Sequence, residues 1–435
     1  MLNKQQLCAV EAVLKHKNVF LTGPPGTGKS FTMKEIIKVL KTNNKQIAIT
    51  SSTGCSAILI NGQTIHSFLG MGVGNKTVQQ IVEGLLKFKS KINKIKELDV
   101  LIIDEISMID DTTFETISSI LQKIRSDTRP FGGVQTLFVG DFCQLSPVKG
   151  KYCFLSEVWN QLELTNVHLT DLIRQKDDID FQEILQEIRF GKCSKKMFEK
   201  LKSLEQTEFT DILPTRLYSL NVDVNEINNN EFRKNYKTLF GQKAGNANIV
   251  QCFPLIMDND VCMPEQKIEQ SDIICYNALT NDKKIKTSDY AIHLFKGLQI
   301  MVTRNINFDT GLVNGTLGVI TALTPHSVTI QDVNKALHVI SYHTDKNENQ
   351  IGREKTYVKF MPIKLAYALS IHKSQGSTLD CIEVDGSSFI FASGQLYTAL
   401  SRGKKLSQIK IINLDKDSFM CHKDVKNFYK TLQSK

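Results

Sequence analysis

The sequence predicts an α/β protein with two parallel-sheet domains and a small antiparallel β module. Three observations predict it. Within the first 150 residues, short apolar runs stop four times at polar or glycine residues, with helical segments between them. Similar buried-strand cues return at 216–220, 381–384 and 409–412. Between about 250 and 360 the runs are shorter and bounded by turns.

Each element has its own warrant. Residues 19–21 lead into Thr22-Gly23, 47–49 into Thr50-Ser51-Ser52-Thr53-Gly54, 100–103 into Asp104-Glu105, and 137–139 into Gly140-Asp141. Continuous apolar runs alternating with helices mark a buried parallel sheet. Met33, Ile36, Ile37 and Leu40 mark one face of the helix after the first run. Ligands of such sheets lie beyond the carboxyl ends of the strands, so all four polar terminations should line one edge. In the second half, the runs 298–302, 317–321, 328–330 and 337–342, with Asn314-Gly315 as a tight turn, read as an antiparallel module.

Bulk properties narrow the class. A chain of 435 residues is expected to hold two to four domains. No run approaches the roughly 20 apolar residues needed to cross a bilayer. The first 20 residues show no signal core or transit character, so an intracellular protein, nuclear or cytoplasmic, is expected. The ten cysteines form no CxxC, which argues against a zinc knuckle and for reduced core thiols. A net charge of +9 is compatible with a polyanionic partner without identifying one.

The sharpest motif is Gly23-Pro24-Pro25-Gly26-Thr27-Gly28-Lys29-Ser30. It fits GxxxxGK[ST] and sits between a strand and a helix, the context of a phosphate-binding loop. Backbone amides and the helix N-terminus would wrap the phosphates of ATP. Lys29 would reach the β/γ-phosphates, and the Ser30 hydroxyl would ligate Mg²⁺. Asp104 would hold the same Mg²⁺ through water and Glu105 would polarise the attacking water, although an acid pair after a strand can also simply cap a helix. Gln144, after the fourth strand, could touch the γ-phosphate; an ordinary strand-to-loop turn is the alternative.

The motifs GPPGTGKS, TSSTGCSAILINGQTIHSFLG, LIIDEISM, PFGGVQTLFVGDFCQLSPV, LIRQKD, GLVNGTLGVI, IHKSQGSTLD and LYTALSR occur in that order. Together they resemble the superfamily 1B DNA helicases over roughly residues 2 to 412, and above all the PIF-one-like (petite integration frequency) group, with RecD and Dda proteins more distant. The resemblance implies two tandem RecA-like P-loop NTPase domains with a short wedge insertion and a small SH3-like β insertion. It implies motor domain 1A at 1–165 with a wedge near 70–90, motor domain 2A at 166–250 and 361–435, and a 2B insertion at 251–360.

The same resemblance assigns roles. Gln6 matches the glutamine that reads adenine, though a polar residue also opens a helix there. Gln144 matches the γ-phosphate glutamine. Arg174 and Arg402 match two arginines that the second motor domain brings to the γ-phosphate. Thr53, Gly54, His66 and Ser67 match segments that hold the DNA strand by its phosphates. Phe68 could stack on a base or belong to the core. His372 and Lys373, in the Ile371-His372-Lys373-Ser374-Gln375-Gly376 motif, match the element that couples nucleotide to DNA. Lys87, Lys89, Lys91, Lys94 and Lys96 fit a solvated helix face better than a phosphate track.

These expectations make an ATP-dependent 5′-to-3′ DNA helicase acting on single-stranded and 5′-tailed duplex DNA, as a monomeric motor without membrane association. The polarity follows from the resemblance alone. A ring-forming ATPase would carry a helical lid in place of IHKSQG and YTALSR. An RNA helicase would use the same engine, and the PFGG segment favours DNA. A non-enzymatic DNA-binding protein is disfavoured because no catalytic position is replaced.

Overall fold

The structure, a computed structural model, describes residues 2–72, 76–209, 213–219, 224–241, 250–252, 255–258, 261–262, 292–307, 310–324, 326–345, 356–387 and 390–433. By packing, the chain forms two compact units, one of residues 1–198, 390–401 and 415–435, the other of 199–389 and 402–414. These units do not follow the motor-domain boundaries expected from the sequence. Residues 166–198, 390–401 and 415–435 pack with the first unit, where Arg189, Tyr397 and Tyr429 enclose the buried carboxylate of Asp141.

The first unit is built on six parallel strands: β1 (Val19–Thr22), β2 (Ile47–Ser51), β3 (Gln63–Thr64), β4 (Val100–Asp104), β5 (Gln135–Gly140) and β6 (Thr165–His168), in the order β3-β2-β4-β5-β1-β6. The four apolar runs of the sequence are the four central strands. Every residue of β1 and β4 is buried. Each fully buried Val, Leu, Ile or Phe stabilises the sheet by roughly 1.5–3 kcal/mol, so the sheet fixes where its loops begin. Thr22 lies opposite both Gly140 and His168, and Ser51 lies opposite Asp104, which puts the polar terminations on one edge as expected.

Two helices bring the site's first residues to that edge. Helix α1 (Lys4–Leu14) starts from Asn3, whose side chain accepts from the Gln6 amide while Gln6 Oε1 accepts from the Asn3 amide. Helix α2 (Lys29–Thr42) buries Thr32, Met33, Ile36 and Leu40 against the sheet. In the expected wedge, the helix Val78–Leu86 is described and residues 73–75 lie outside the described residues. The following helix Lys89–Lys96 buries Ile92 and Ile95 and turns Lys89, Lys94 and Lys96 to solvent, the solvated face anticipated above.

In the second unit, β7 (Thr215–Tyr218) joins Ala368–Ser370, Ile382–Asp385 and Ile409–Ile412 in a parallel sheet. A five-stranded antiparallel sheet runs through Leu337–Ser341, Ser327–Asp332, Leu317–Leu323, Gln299–Val302 and Ile363–Leu365. It is pinned to the parallel sheet at a tight approach. Gly315 has φ +97°, and a Cβ there would stand 1.8 Å from the Thr378 carbonyl oxygen, so only glycine fits. Nearby, the Leu317 amide donates to Asp380, which also pairs with Lys404 at 2.7 Å. Much of the expected 251–360 insertion, including 263–291 and 346–355, lies outside the described residues. Among the described residues no helix is long and apolar enough to cross a membrane. Of the six cysteines whose thiols are described as free, Cys143, Cys153 and Cys381 are buried and the other three are not, so the reading of core thiols holds for half of them.

Candidate active site

The loop between β1 and α2 has a backbone that side chains would block. Gly28 caps α2 with φ +89°, and a Cβ there would lie 2.7 Å from Gln6 Nε2. At Gly26, φ +85°, a Cβ would lie 2.7 Å from the Arg174 Cβ. The loop closes on itself as well: Thr27 Oγ1 donates to the Pro24 carbonyl at 2.8 Å. Lys29 Nζ donates to the carbonyls of Gly23 at 2.6 Å and Pro24 at 3.1 Å. The N-terminal amides of α2, with their dipole, then face outward next to an ammonium, an arrangement suited to a polyphosphate.

The charges around Lys29 are mostly negative. Burial pulls its pKa down to about 8, opposed chiefly by Asp141, then by Glu105 and Asp104. Burial pushes Asp104 up to about 7, helped by the neighbouring Glu105 charge. Asp104 accepts from the Glu105 amide at 2.9 Å. Glu105 itself sits at φ +52°, ψ +45°, a left-handed conformation costly for a non-glycine residue and typical of strained functional turns. Among the described residues no three His, Cys, Asp or Glu side chains cluster as a metal cage. A hydroxyl, Ser30, and one carboxylate, Asp104, fit Mg²⁺, which commonly takes one or two carboxylates plus substrate phosphates.

Gln6 carries a second fit. Its side chain is 2% exposed, its Oε1 is used in the helix cap, and its Nε2 has no hydrogen-bond partner. A buried, unpaired amide donor facing the phosphate loop suits an acceptor on a purine ring. The helix-opening reading of Gln6 is seen in its cap, and its Nε2 remains available for the adenine reading.

The other expected residues fall into two groups. In the first unit, Gln144 is 3% exposed and its amide donates to the Asp141 carbonyl. Arg174 was expected from the second motor domain. It packs instead in the first unit, where its amide and that of Ile173 both donate to the Gly26 carbonyl, and its Nη1 donates to the Ser401 carbonyl at 2.8 Å. Thr53 and Gly54 follow β2. His66 and Ser67 lie on the short helix Ile65–Phe68, capped by Thr64, with His66 lowered in pKa by burial and Phe68 half-buried. In the second unit, His372 and Lys373 lie on the short helix Ile371–Ser374, after the strand Ala368–Ser370. Burial lowers the pKa of His372, and its Nδ1 has no partner. Gln375 is buried, and Gly376 turns the chain at φ +79°. Arg402 is 2% exposed, with Nη1 at 3.5 Å from the Ser377 carbonyl.

With that geometry in place, comparison with known proteins decides the family. The PIF1-like helicase family matches residues 1–199, and the DNA helicase Pif1 2B domain matches residues 287–323. The chain belongs to the PIF1-like helicases. It is 33% identical to uncharacterized protein 030L of Invertebrate iridescent virus 6, over 100% of this chain and 94% of that one. It is 35% identical to the zebrafish (Danio rerio) ATP-dependent DNA helicase PIF1, over 99% of this chain but 64% of that protein, so it spans under two thirds of that relative's length. Among solved structures it resembles a Bacteroides sp. Pif1 in complex with ADP-AlF4, at 26% identity, TM-score 0.79, and 100% and 97% coverage of the two chains. A Bacteroides Pif1 bound to single-stranded DNA matches at 25% identity and TM-score 0.64, with 100% and 97% coverage. PIF1-like membership fits the α/β architecture and the motif order alike.

Sequence reasoning passed over one feature beside this site. Asp141 and Arg189 form a buried ion pair, Nη2 to Oδ1 at 3.0 Å, with Tyr397 and Tyr429 closing around it. A signal was present: Arg189 falls four residues after Leu185 and eight after Phe181, on the buried face of its helix, where an unpaired arginine would be costly.

Lys29 gives a pH prediction. Below about pH 8 it is an ammonium, and above that value it loses charge. Affinity for ADP is expected to weaken as pH rises through 8, by up to about tenfold per pH unit above it. Titration calorimetry from pH 7 to 9.5 reads this directly; an affinity flat across that range contradicts it.

Proposed function

We propose that this chain is an ATP-driven motor that moves along single-stranded DNA in the 5′-to-3′ sense and separates duplex strands. The observation that carries the reading is Lys29, fixed by two loop carbonyls and surrounded by Asp104, Glu105 and Asp141 at the carboxyl edge of a parallel sheet. Membership of the PIF1-like helicases supports the DNA substrate, as do the nucleotide and single-stranded DNA complexes of the Bacteroides relatives.

In this reading Gln6 donates to the adenine ring and the Gly23–Ser30 loop cradles the phosphates. Glu105 orients the attacking water and takes its proton. Ser30, and Asp104 through water, would hold Mg²⁺, which would supply charge neutralisation for the phosphates. Arg174 and Arg402 stabilise the charge that spreads over the transferred phosphoryl group. Gln144 reports the presence of the γ-phosphate. Thr53, Gly54, His66 and Ser67 hold DNA phosphates from the first motor domain, and His372, Lys373, Gln375 and Gly376 belong to the element of the second that couples the nucleotide site to DNA. The motor-domain boundaries expected from the sequence, the wedge near 70–90 and a monomeric state on DNA belong to the same proposal.

The test is ATP hydrolysis by the purified chain with and without single-stranded DNA. Stimulation of tenfold or more supports the motor reading. Hydrolysis indifferent to DNA but stimulated by single-stranded RNA would transfer the proposal to an RNA substrate.

A further inference from the structure

Four chain segments far apart in sequence meet at one buried carboxylate. Asp141 follows β5 and is fully buried, three residues before Gln144. Its Oδ1 accepts from Tyr429 OH at 2.9 Å, Arg189 Nη2 at 3.0 Å and the Cys143 amide at 3.2 Å. Its Oδ2 accepts from Tyr397 OH at 3.2 Å and Arg189 Nε at 3.3 Å. Burial works against the charge, but Arg189, Lys29 and these hydrogen bonds outweigh it and hold the carboxyl below the usual range.

The Tyr429 hydroxyl does more than serve Asp141. Having donated its one proton there, it accepts from the Phe142 amide at 3.1 Å and is left to accept from Thr22 Oγ1 at 2.8 Å. Thr22 is the last residue of β1, immediately before the phosphate loop. One oxygen from the C-terminal helix Lys423–Gln433 therefore ties the root of the phosphate loop to the turn that carries Gln144. The helix Gln395–Leu400, which carries Tyr397, presses on the same turn. Its cap Gly394 has φ +80°, and a Cβ there would stand 2.1 Å from the Gln144 carbonyl oxygen. The Gly394 amide is bonded in turn to the Met420 carbonyl.

We propose that Tyr429, together with Arg189 and Tyr397, is a positioning residue for ATP hydrolysis, acting through Asp141 to fix Gln144 relative to the phosphate loop. The proposal rests on the ATPase reading above and adds residues that touch no nucleotide in that reading. A buried ion pair is weak evidence of stabilisation, because desolvation offsets much of the attraction. What this network provides is a defined geometry: Arg189 and the two tyrosines hold both carboxylate oxygens of Asp141, and the Tyr429 hydroxyl links that carboxylate to Thr22, at the root of the phosphate loop.

The test compares Tyr429→Phe and Tyr397→Phe, which keep the rings and remove one hydroxyl each, with Val425→Ala. Val425 is buried on the same C-terminal helix, so its truncation loosens that helix without removing a group bonded to Asp141. For each variant, kcat and KM for DNA-stimulated ATP hydrolysis, ADP affinity and Tm are measured. The expected result is a fall in kcat of about tenfold for Tyr429→Phe, and a smaller fall for Tyr397→Phe, with KM and ADP affinity within twofold of wild type. Val425→Ala should lower Tm and leave kcat unchanged. Should Tyr429→Phe fail to fold, Tyr397→Phe reads the same carboxylate from another helix. The proposal is overturned if the folded tyrosine variants keep kcat within twofold, or if all three variants lose kcat and ADP affinity in proportion to Tm. An inactive wild-type chain would instead defeat the ATPase reading itself, so the two failures are distinguishable.

Discussion

Lys29→Ala is expected to lower the rate of ATP hydrolysis by about 10²–10³, the usual effect of deleting one preorganised charge-stabilising donor. The ammonium is held by the Gly23 and Pro24 carbonyls beside Asp141 and Glu105, so it is already in place before phosphate arrives. ADP affinity should fall too, and its pH dependence around 8 should vanish with the titrating group. Stability should change little, because the two lost hydrogen bonds are offset by removing a partly buried charge. A Lys29→Ala protein that retains more than a tenth of wild-type kcat would show that the loop is not the phosphate site.

The second large effect is expected at the two arginines. Arg174→Ala and Arg402→Ala should each lower kcat by about 10³ or more, the range seen when an arginine stabilising a phosphoryl transition state is lost. ADP affinity should stay within a few fold, since the charge they meet develops during transfer. Arg402 is buried within its own unit, so its alanine variant needs a thermal melt to separate misfolding from lost chemistry. Arg402→Lys is the companion: it keeps the charge and loses the planar fork, and should remain well below wild type. Wild-type kcat in either alanine variant contradicts the assigned role.

The fold was legible where strands are buried on both faces. The runs at 19–21, 47–49, 100–103 and 137–139 could be read because a central parallel strand is apolar throughout. The strand Thr165–His168 gave no such run: only Val167 is buried, as befits an edge strand. The pair Gln63–Thr64 is too short to show any period. The phosphate loop and acid pair were legible because their chemistry needs contiguous residues. The Asp141 network was not, because Arg189, Tyr397 and Tyr429 lie 48, 256 and 288 positions away and only the fold brings them together. The packing of Arg174 against the phosphate loop was not legible for a related reason. Motif order says which residues belong to a family, whereas the Gly26 carbonyl that receives the Arg174 amide is a tertiary contact.

The central claim is that this chain converts ATP hydrolysis into directional movement on DNA. The most direct measurement is ATP-dependent strand displacement on duplexes carrying a 5′ tail, a 3′ tail or no tail, with Lys29→Ala as control. Opening of the 5′-tailed duplex alone, lost in the Lys29 variant, is the predicted result. ATP hydrolysis without displacement of any tailed duplex, or opening restricted to the 3′-tailed one, would contradict the account.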